Sequence, residues 1–184
     1  GGCKLKIPIK DLFQSKQNGF NTYIFVDLDN TSWSNIGVLE TLNNKTKILF
    51  YADEAHAGML ENKNMMKCIA ETSACIEKIK TSTHDNSVDF RIVSDMSAIL
   101  TDFSVEYVYI ISGDKGYDEV IQHLQEIYRG RARAIERFSS ISDCMLDLHF
   151  MKGSSKEALK KILFDQFSRN YRVDAVNRIL EMVD

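Results

Sequence analysis

The stretch VEYVYIISGDKGYDEV, residues 105–120, decides the fold and points to the site of function. Its first half is an apolar run rich in β-branched and aromatic residues, which predicts a buried strand at 105–112. A Ser-Gly pair ends that run, and Asp114 and Asp118 follow four residues apart. Open α/β sheets bind their ligands just beyond the carboxyl ends of their strands. The stretch therefore predicts a central strand with a functional site at its end.

Four more strand patterns alternate with helical ones along the chain. The strands are predicted at 22–28, 46–52, 74–82 and 131–138, and the helices at about 34–43, 55–70, 87–101 and 116–128. In the last two helices we expect one apolar face each, formed by Phe90, Val93, Ser97 and Leu100 and by Val120, Ile121, Leu124 and Tyr128. Strands that alternate with helices predict a three-layer α/β/α Rossmann-like fold. We expect a mainly parallel five-stranded sheet of order 3-2-1-4-5.

Length and composition are those of one globular domain with a tail. The chain has 184 residues, is 44% hydrophobic, and carries a formal net charge of −3, which argues against a protein coated in positive charge for duplex DNA. No apolar run approaches a membrane span and no signal peptide is visible, so we expect a cytoplasmic protein with no membrane partner. The four cysteines form no CxxC pair, which predicts reduced thiols rather than a zinc site or a disulfide framework.

The tail is predicted to be a helical extension, 139–184, of a domain that covers 21–138. Ser154 and Glu157 fit a capping box. An apolar stripe follows on Leu159, Ile162, Leu163 and Phe167. The sequence VDAVNRILEMV predicts a second helix, so the tail forms a helical pair. We expect this pair to pack on the domain, on a second copy of the chain or on a protein partner.

Further acids stand at the ends of the other predicted elements. The first strand runs into VDLDN, which supplies Asp27 and Asp29, and Asp89 opens the third helix. If the first and fourth strands are neighbours, Asp27 and Asp114 converge at the centre of the sheet. Crowded carboxylates repel one another, and a Mg²⁺ or Mn²⁺ ion bound through carboxylate oxygens relieves that repulsion. Taken singly, Asp114 is also explained as a helix cap and Asp89 as a first-turn anion favoured by the helix dipole.

Three motifs carry a resemblance to a known family. YIFVDLDN, NSVDF and VYIISGDKGYDEVIQHL, in that order over residues 21 to about 138, resemble the PIN-like nucleases, in the branch close to the NYN family. The resemblance implies a metal-dependent endoribonuclease that cleaves single-stranded or structured RNA through water activated by Mg²⁺ or Mn²⁺. It places the catalytic, metal-binding acids at Asp27, Asp89, Asp114 and Asp118. The resemblance implies supporting roles in the site for Asp29, Asn30, Asn86 and Ser112. At the position of Asp29 the family commonly has a Glu.

Two other interpretations remain open on the sequence alone. FVDLDNT fits the DxDxT motif of HAD phosphatases, with Asp27 as the nucleophile and Asp29 as the acid/base, and GDKGYD resembles their second acidic motif. NSVDF has no role in that scheme, and no convincing Lys motif precedes the second group of acids. The remaining interpretation is a non-catalytic module that binds RNA or a protein on the same fold.

An RNA partner requires local positive charge and exposed rings. The residues expected to contact RNA are Lys115, Arg131, Arg133, Trp33 and Tyr117. Arg131 and Arg133 would face the same way in the last strand. Trp33 and Tyr117 lie beside the acidic motifs, where they could stack on bases. The arginines are equally explained as charges that protect an edge strand from aggregation, and Trp33 as a core residue.

Overall fold

The computed structural model of the protein describes residues 19–31, 39, 42–147, 149–150, 156–157, 159–160, 178 and 180–181. Its centre is a sheet of five parallel strands: β1 (Thr22–Asp27), β2 (Thr46–Asp53), β3 (Cys75–Thr81), β4 (Tyr107–Ile111) and β5 (Ala134–Phe138). The strand order is β3-β2-β1-β4-β5, which confirms the predicted topology. Because β1 and β4 are parallel neighbours, with Val26 opposite Ile111, their carboxyl ends lie side by side.

Helices cover both faces of the sheet. They are α1 (Lys63–Glu71), α2 (Ser87–Ile99), α3 (Tyr117–Ile127) and α4 (Ile141–Met145), with 3-10 turns at Leu28–Asn30 and Glu54–Glu61. The helix predicted at 55–70 is therefore 3-10 in its first half. The α-helix begins only after Asn62, whose side chain accepts hydrogen bonds from the amides of Asn64 and Met65 and so acts as its N-cap.

Several predicted helical features fall outside the described residues. These are most of the helix at 34–43, the capping residue Ser154, and the stripe residues Ile162, Leu163 and Phe167. Within the predicted C-terminal pair, the described residues 156–157, 159–160, 178 and 180–181 are helical. No helix among the described residues is long and apolar enough to cross a bilayer.

β1 is buried along its whole length, because it lies at the centre of a sheet covered on both faces. Ile24 and Val26 belong to the core on the side of α4. Tyr23 and Phe25 belong to the core on the side of α2 and α3. Side chains alternate between the two faces of a strand, so the residue after Val26 points toward α2 and α3. That residue is Asp27, and the apolar strand thus carries a carboxylate at its last position.

The predicted apolar face is confirmed for α3, where Ile121 and Leu124 are buried and Val120 and Tyr128 pack on the same core. The face predicted for α2 is wrong at Phe90, which is 71% exposed, whereas Leu100 is buried and Val93 packs on the core. The buried side chains of α2 are Val88, Ile92, Asp95, Met96 and Ile99. Four of these also follow helical spacing and form a wholly aliphatic stripe, which outcompetes a stripe that includes a serine.

A buried polar network anchors α2 to the sheet. Tyr51 of β2 donates its hydroxyl to Asp95 Oδ2 at 2.7 Å, and Arg91 donates its Nε to both oxygens of Asp95, at 3.2 and 3.0 Å. Asp95 is buried in the middle of an apolar helix face. A buried carboxylate is tolerated only when it is paired and hydrogen-bonded. The network therefore fixes the position of α2 on β2, and with it the position of Asp89 in the first turn of α2.

The segment after β5 packs on the opposite face of the sheet. Ile141, Cys144 and Met145 of α4 and the nearby Phe150 belong to the core of that face. His149 lies flat against the ring of Tyr107, with ring centroids 3.6 Å apart. Ile141, Cys144, Met145 and Phe150 thus share the core of the sheet, while the predicted domain boundary at 138 stays a prediction.

We expect Tyr51→Phe to lower the free energy of unfolding by about 1–2 kcal/mol, because it removes a hydrogen bond to a buried charged group. Urea unfolding followed by circular dichroism measures the change. The matched control is Tyr128→Phe, which removes a hydroxyl from a partly buried tyrosine on the same face and should change stability by less than about 0.5 kcal/mol. Equal stability of Tyr51→Phe and the wild type would contradict the anchoring role of the network.

Candidate metal centre

The carboxylate of Asp27 lies at the end of β1 with 0% of the residue exposed. Its Oδ2 atom accepts hydrogen bonds from Asn30 Nδ2 at 3.0 Å, from Ser112 Oγ at 3.0 Å and from Tyr117 OH at 3.3 Å. Its Oδ1 atom is buried and has no hydrogen-bond partner in the described part of the protein. A buried acceptor without a donor costs free energy, so Oδ1 is available to a ligand.

Two backbone features bring Ser112 and Asn30 together at this position. The register of β1 and β4 pairs Val26 with Ile111, so the residues that follow the two strands are adjacent. Gly113 donates its amide to the carbonyl oxygen of Asn30 at 2.7 Å. A Cβ atom at Gly113 would stand 3.2 Å from that oxygen. The glycine therefore permits the close approach of the two loops on which the site depends.

Asp89 reaches the same edge from the first turn of α2. Asn86, immediately before that helix, has a φ of 60°, a left-handed conformation that Asn tolerates better than most side chains. The side chain of Asn86 makes no capping hydrogen bond. Its role in the structure is to turn the backbone into α2 and so deliver Asp89 to the edge of the sheet.

The Tyr117 hydroxyl joins Asp89 to Asp27. It lies 2.8 Å from Asp89 Oδ1 and 3.3 Å from Asp27 Oδ2, and its single proton can serve only one of the two carboxylates at a time. Burial raises the pKa of Asp89, and the charges of Asp27 and Asp114 raise that pKa further, against the lowering effect of the Tyr117 hydrogen bond. Two anionic carboxylates thus share one donor, an arrangement that favours a bound proton or cation.

Asp114 follows β4 and completes a group of three acids with Asp27 and Asp89. Its backbone amide donates to Ser112 Oγ at 3.0 Å, and its Oδ1 accepts from the amide of Gly116 at 2.8 Å. Ser112 Oγ in turn donates to Asp27 Oδ2, so a single hydroxyl links the two strand ends. Asp89 and Asp114 line one pocket. The structure thus brings together acids from β1, α2 and the turn before α3.

The structure places the fourth predicted acid, Asp118, in an ion pair. Arg137 of β5 donates from Nε and from a terminal nitrogen to the two carboxylate oxygens of Asp118, at 2.6 and 3.1 Å. These hydrogen bonds lower the pKa of Asp118, whose side chain is 54% exposed. Asp118 thus has its own cationic partner at the margin of the site, and its charge is already balanced.

A second group of ligand atoms lies beside β1 and β2. Asp29, Asp53 and His56 each offer one such atom, all within 4.8 Å of one another. His56 Nδ1 is 2.8 Å from Asp53 Oδ1 and 3.5 Å from Asp29 Oδ1. The hydrogen bond to Asp53 raises the pKa of His56, and burial followed by the charge of Asp53 raises the pKa of Asp29. Asp53 and His56 were not predicted as site residues. Asp53 is the last residue of β2, as Asp27 is of β1, so its position at the carboxyl end of a strand could have indicated it.

Asp27, Asp89 and Asp114 supply the kind of oxygen ligand that a hard divalent cation prefers, although among the described residues the acids and histidines whose ligand atoms already lie within 4.8 Å of one another are Asp29, Asp53 and His56. Mg²⁺ and Mn²⁺ prefer carboxylate oxygens, and the three residues supply such oxygens from three separate elements. The unpaired Oδ1 atom of Asp27 is the strongest indication that a cation binds here. The described residues provide no hydrogen-bond donor to this buried oxygen, and a cation would compensate its charge. Burial raises the pKa of Asp89 most, and the charges of Asp27 and Asp114 raise it further.

Two of the residues expected to bind RNA are used structurally at the opposite edge of the sheet. Arg131 donates to the carbonyl of Leu100 at 3.1 Å and lies over the Phe103 ring at 3.8 Å, and Arg133 pairs with Glu106 at 3.5 Å. Both precede β5 rather than belong to it. They are separated from the acids by the length of that strand, roughly 16 Å at the usual rise per residue. Contact of these two arginines with RNA stays a prediction, and it would take place away from the acids.

The remaining three residues expected to bind RNA differ in their surroundings. Tyr117 is 3% exposed, so it has no free face for a base, and the stacking role predicted for it is wrong. Its hydroxyl serves the acids instead. Lys115 is exposed in the turn between Asp114 and Gly116, at the edge that carries the acids. Trp33 lies outside the described residues.

One comparison with known proteins identifies a family. The family model for the PIN domain matches residues 21–134. This range extends from just before β1 to the first residue of β5 and contains Asp27, Asp89 and Asp114. No curated protein and no solved structure matches the chain.

The raised pKa of Asp89 predicts how stability depends on pH when no metal is present. Folding favours the neutral carboxyl, so this contribution to stability is complete below the unfolded pKa and is lost as the pH rises through the raised folded pKa. Asp89→Asn is neutral throughout. In EDTA we expect it to be more stable than the wild type at pH 7, by less than about 1 kcal/mol because the site is partly exposed, and to lose that advantage near pH 4.

Asp53→Asn is a control for which the pKa shift, and therefore the expected pH dependence of stability, has the opposite sign. Although burial opposes the shift, hydrogen bonds from the ring and amide of His56 lower the pKa of Asp53. Its contribution to stability is therefore present at neutral pH and lost as the pH falls. Thermal unfolding of both variants and the wild type at the two pH values measures the differences. A pH-independent difference for Asp89→Asn, or a less stable variant at pH 7, would contradict the raised pKa of Asp89.

Proposed function

The chain belongs to the PIN domain family, and we propose that it is a metal-dependent endoribonuclease that cleaves RNA at the carboxyl edge of its sheet. PIN domains are typically metal-dependent nucleases and usually bind divalent metal ions. Single-stranded or structured RNA as the substrate is part of the proposal. So is membership of the branch close to the NYN family, which the motifs NSVDF and SGDKGYD support.

The observation that carries the proposal is the carboxylate of Asp27. It is fully buried, three donors hold one of its oxygens, and the other oxygen has no partner among the described residues. Asp89 and Asp114 stand beside it on separate elements. A fold that maintains this arrangement carries an electrostatic cost, and a role in binding Mg²⁺ or Mn²⁺ explains why the cost is retained.

Each residue in the proposed site has a distinct task. Asp27, Asp89 and Asp114 hold the cation, and Asn30 and Ser112 orient Asp27. When bound, the cation would polarise the phosphate and activate a water molecule for hydrolysis. Lys115, exposed at the same edge, attracts the phosphate backbone by its charge. Asp118, in its pair with Arg137, is the fourth acid of the proposal and acts at the margin.

The phosphatase interpretation loses its support. The family match over 21–134 includes both motifs on which that interpretation rested. Asp27, its proposed nucleophile, has no exposed surface, and three hydrogen bonds hold its Oδ2 atom. A nucleophilic carboxylate forms a bond to phosphorus, a role that the PIN-domain match does not support.

Location and partners belong to the same proposal. Cys75 and Cys144 are free thiols, which accords with a reducing compartment, and we propose that the protein acts in the cytoplasm. The predicted C-terminal helices are our candidate for contact with a second copy or with a protein partner. Light scattering with and without residues 151–184 tests that contact.

We expect Asp27→Asn and Asp114→Asn to reduce Mn²⁺-dependent cleavage of single-stranded RNA by at least about 100-fold, because each removes a ligand charge. Asp118→Asn should cost less, about tenfold or under, since Arg137 already neutralises that charge. Labelled oligonucleotides, single-turnover rates and a melting curve for each variant provide the measurement. EDTA should abolish the activity and Mn²⁺ should restore it.

The matched control is Glu119→Gln, an exposed acid in the same helical turn as Asp118, which should cleave like the wild type. Cleavage by Asp27→Asn at the wild-type rate would refute the proposed site. Tight RNA binding with no products in Mg²⁺ or Mn²⁺ would instead identify a non-catalytic RNA-binding module.

A further inference from the structure

A pocket of about 250 Å³ opens directly beside the acids, between α2 and α3. Its lining residues are Asp89, Phe90, Val93, Asp114, Gly116, Tyr117 and Val120. The volume is below that of pockets that take drug-sized ligands, which start near roughly 300 Å³. The pocket is therefore large enough for one small planar group, and it shares Asp89 and Asp114 with the candidate metal centre.

The walls of the pocket are chemically divided. Phe90 and Val93 from α2 and Val120 from α3 form an apolar part, and the carboxylates of Asp89 and Asp114 stand at its polar end. An occupant that suits both parts has an apolar, flat portion joined closely to a group that a cation would hold. A nucleotide has this form, with a base on one side and a phosphate on the other.

Phe90 is the unusual feature of this pocket. Its side chain is 71% exposed, although large apolar side chains are normally buried. The other strongly exposed phenylalanine in the described part of the chain, Phe103, is 78% exposed but lies under the guanidinium of Arg131 at 3.8 Å. No ring or cation covers Phe90 among the described residues. Phe90 thus offers a free aromatic face at the mouth of the pocket.

We propose that this pocket binds one unpaired base of the substrate, stacked on Phe90, next to the phosphate that is cleaved. The proposal rests on the proposed nuclease function and narrows its substrate to single-stranded RNA at the point of cleavage. A base in a duplex is stacked on both faces and paired at its edge, so it cannot enter without leaving the helix. Stacking on one ring accepts any base, so Phe90 confers a preference for single strands rather than for a sequence.

The first test compares Phe90→Ala with Phe90→Trp on a single-stranded oligonucleotide. Loss of a stacking ring should raise KM by about 5- to 100-fold, with a smaller effect on kcat, and tryptophan should retain wild-type KM within about threefold. Phe103→Ala, at the far end of α2, is the matched control and should leave KM unchanged. Unchanged KM in Phe90→Ala would overturn the proposal.

The second test changes the substrate. One abasic nucleotide beside the cleaved phosphate should weaken wild-type binding as much as Phe90→Ala does, and should weaken Phe90→Ala no further. The same sequence in a duplex should be cleaved at least about tenfold more slowly by the wild type. Equal cleavage of both forms, or equal sensitivity of both proteins to the abasic nucleotide, would contradict a base-binding pocket.

A third measurement separates this proposal from the nuclease proposal. An oligonucleotide that carries 2-aminopurine reports stacking by fluorescence quenching, and Ca²⁺ in place of Mn²⁺ allows binding to be followed without turnover. Quenching that depends on Phe90 in a protein that never cleaves would support the pocket while the nuclease proposal fails. Cleavage with no quenching, or a pocket that an apolar peptide side chain occupies in competition assays, would overturn the pocket and leave the nuclease proposal standing.

Discussion

The Asp27 carboxylate ends the central strand of a parallel sheet without any exposed surface, and the geometry around it follows from the need to accommodate that charge. A buried anion costs several kcal/mol unless hydrogen bonds and opposite charges compensate it. Donors from three different segments converge on Oδ2: the side-chain amide of Asn30, the hydroxyl of Ser112 and the hydroxyl of Tyr117. They satisfy one oxygen and leave Oδ1 without a partner among the described residues.

Parts of the structure far from Asp27 serve the same arrangement. The Tyr51–Asp95 hydrogen bond holds α2 on the sheet, so that Asp89 meets the Tyr117 hydroxyl. Gly113 lets the loop after β4 approach the loop after β1 closely enough for Ser112 to reach Asp27. Asp89 therefore lies near the charges of Asp27 and Asp114, which raise its pKa. Such an arrangement is stable only as long as the core compensates for it, and a cation removes the strain at its source.

Features that depend on the local sequence pattern could be predicted from the sequence. The surroundings of side chains whose partners lie far away in the chain could not. Alternation of strands and helices was enough for the strand order. The ends of strands and the start of a helix pointed to Asp27, Asp114 and Asp89, whose role in binding a metal stays a prediction. The exposure of Phe90 was missed, because two stripes in α2 have helical spacing and only packing on the sheet distinguishes them.

Pairing across the fold explains the other differences. Arg137 of β5 neutralises Asp118 of α3, 19 residues away, and Arg131 donates to the carbonyls of Leu100 and Thr101, just after α2. Neither partner can be read from local spacing. Tyr117 looked like a surface ring beside an acidic motif, yet the register of α3 buries it in the core, where its hydroxyl links two carboxylates. Asp53 could have been predicted, since it ends β2 as Asp27 ends β1.

The central claim is that Asp27, Asp89 and Asp114 together form a cation site. Anomalous diffraction from a crystal soaked in Mn²⁺ tests it most directly, because the ion is located independently of any activity. We expect one strong anomalous peak within coordination distance of Asp27 Oδ1 and of carboxylate oxygens of Asp89 and Asp114, at about 2.2 Å, and no such peak in an Asp27→Asn crystal. A well-diffracting soaked crystal with no peak there, or with its only peak at another place, would contradict the account.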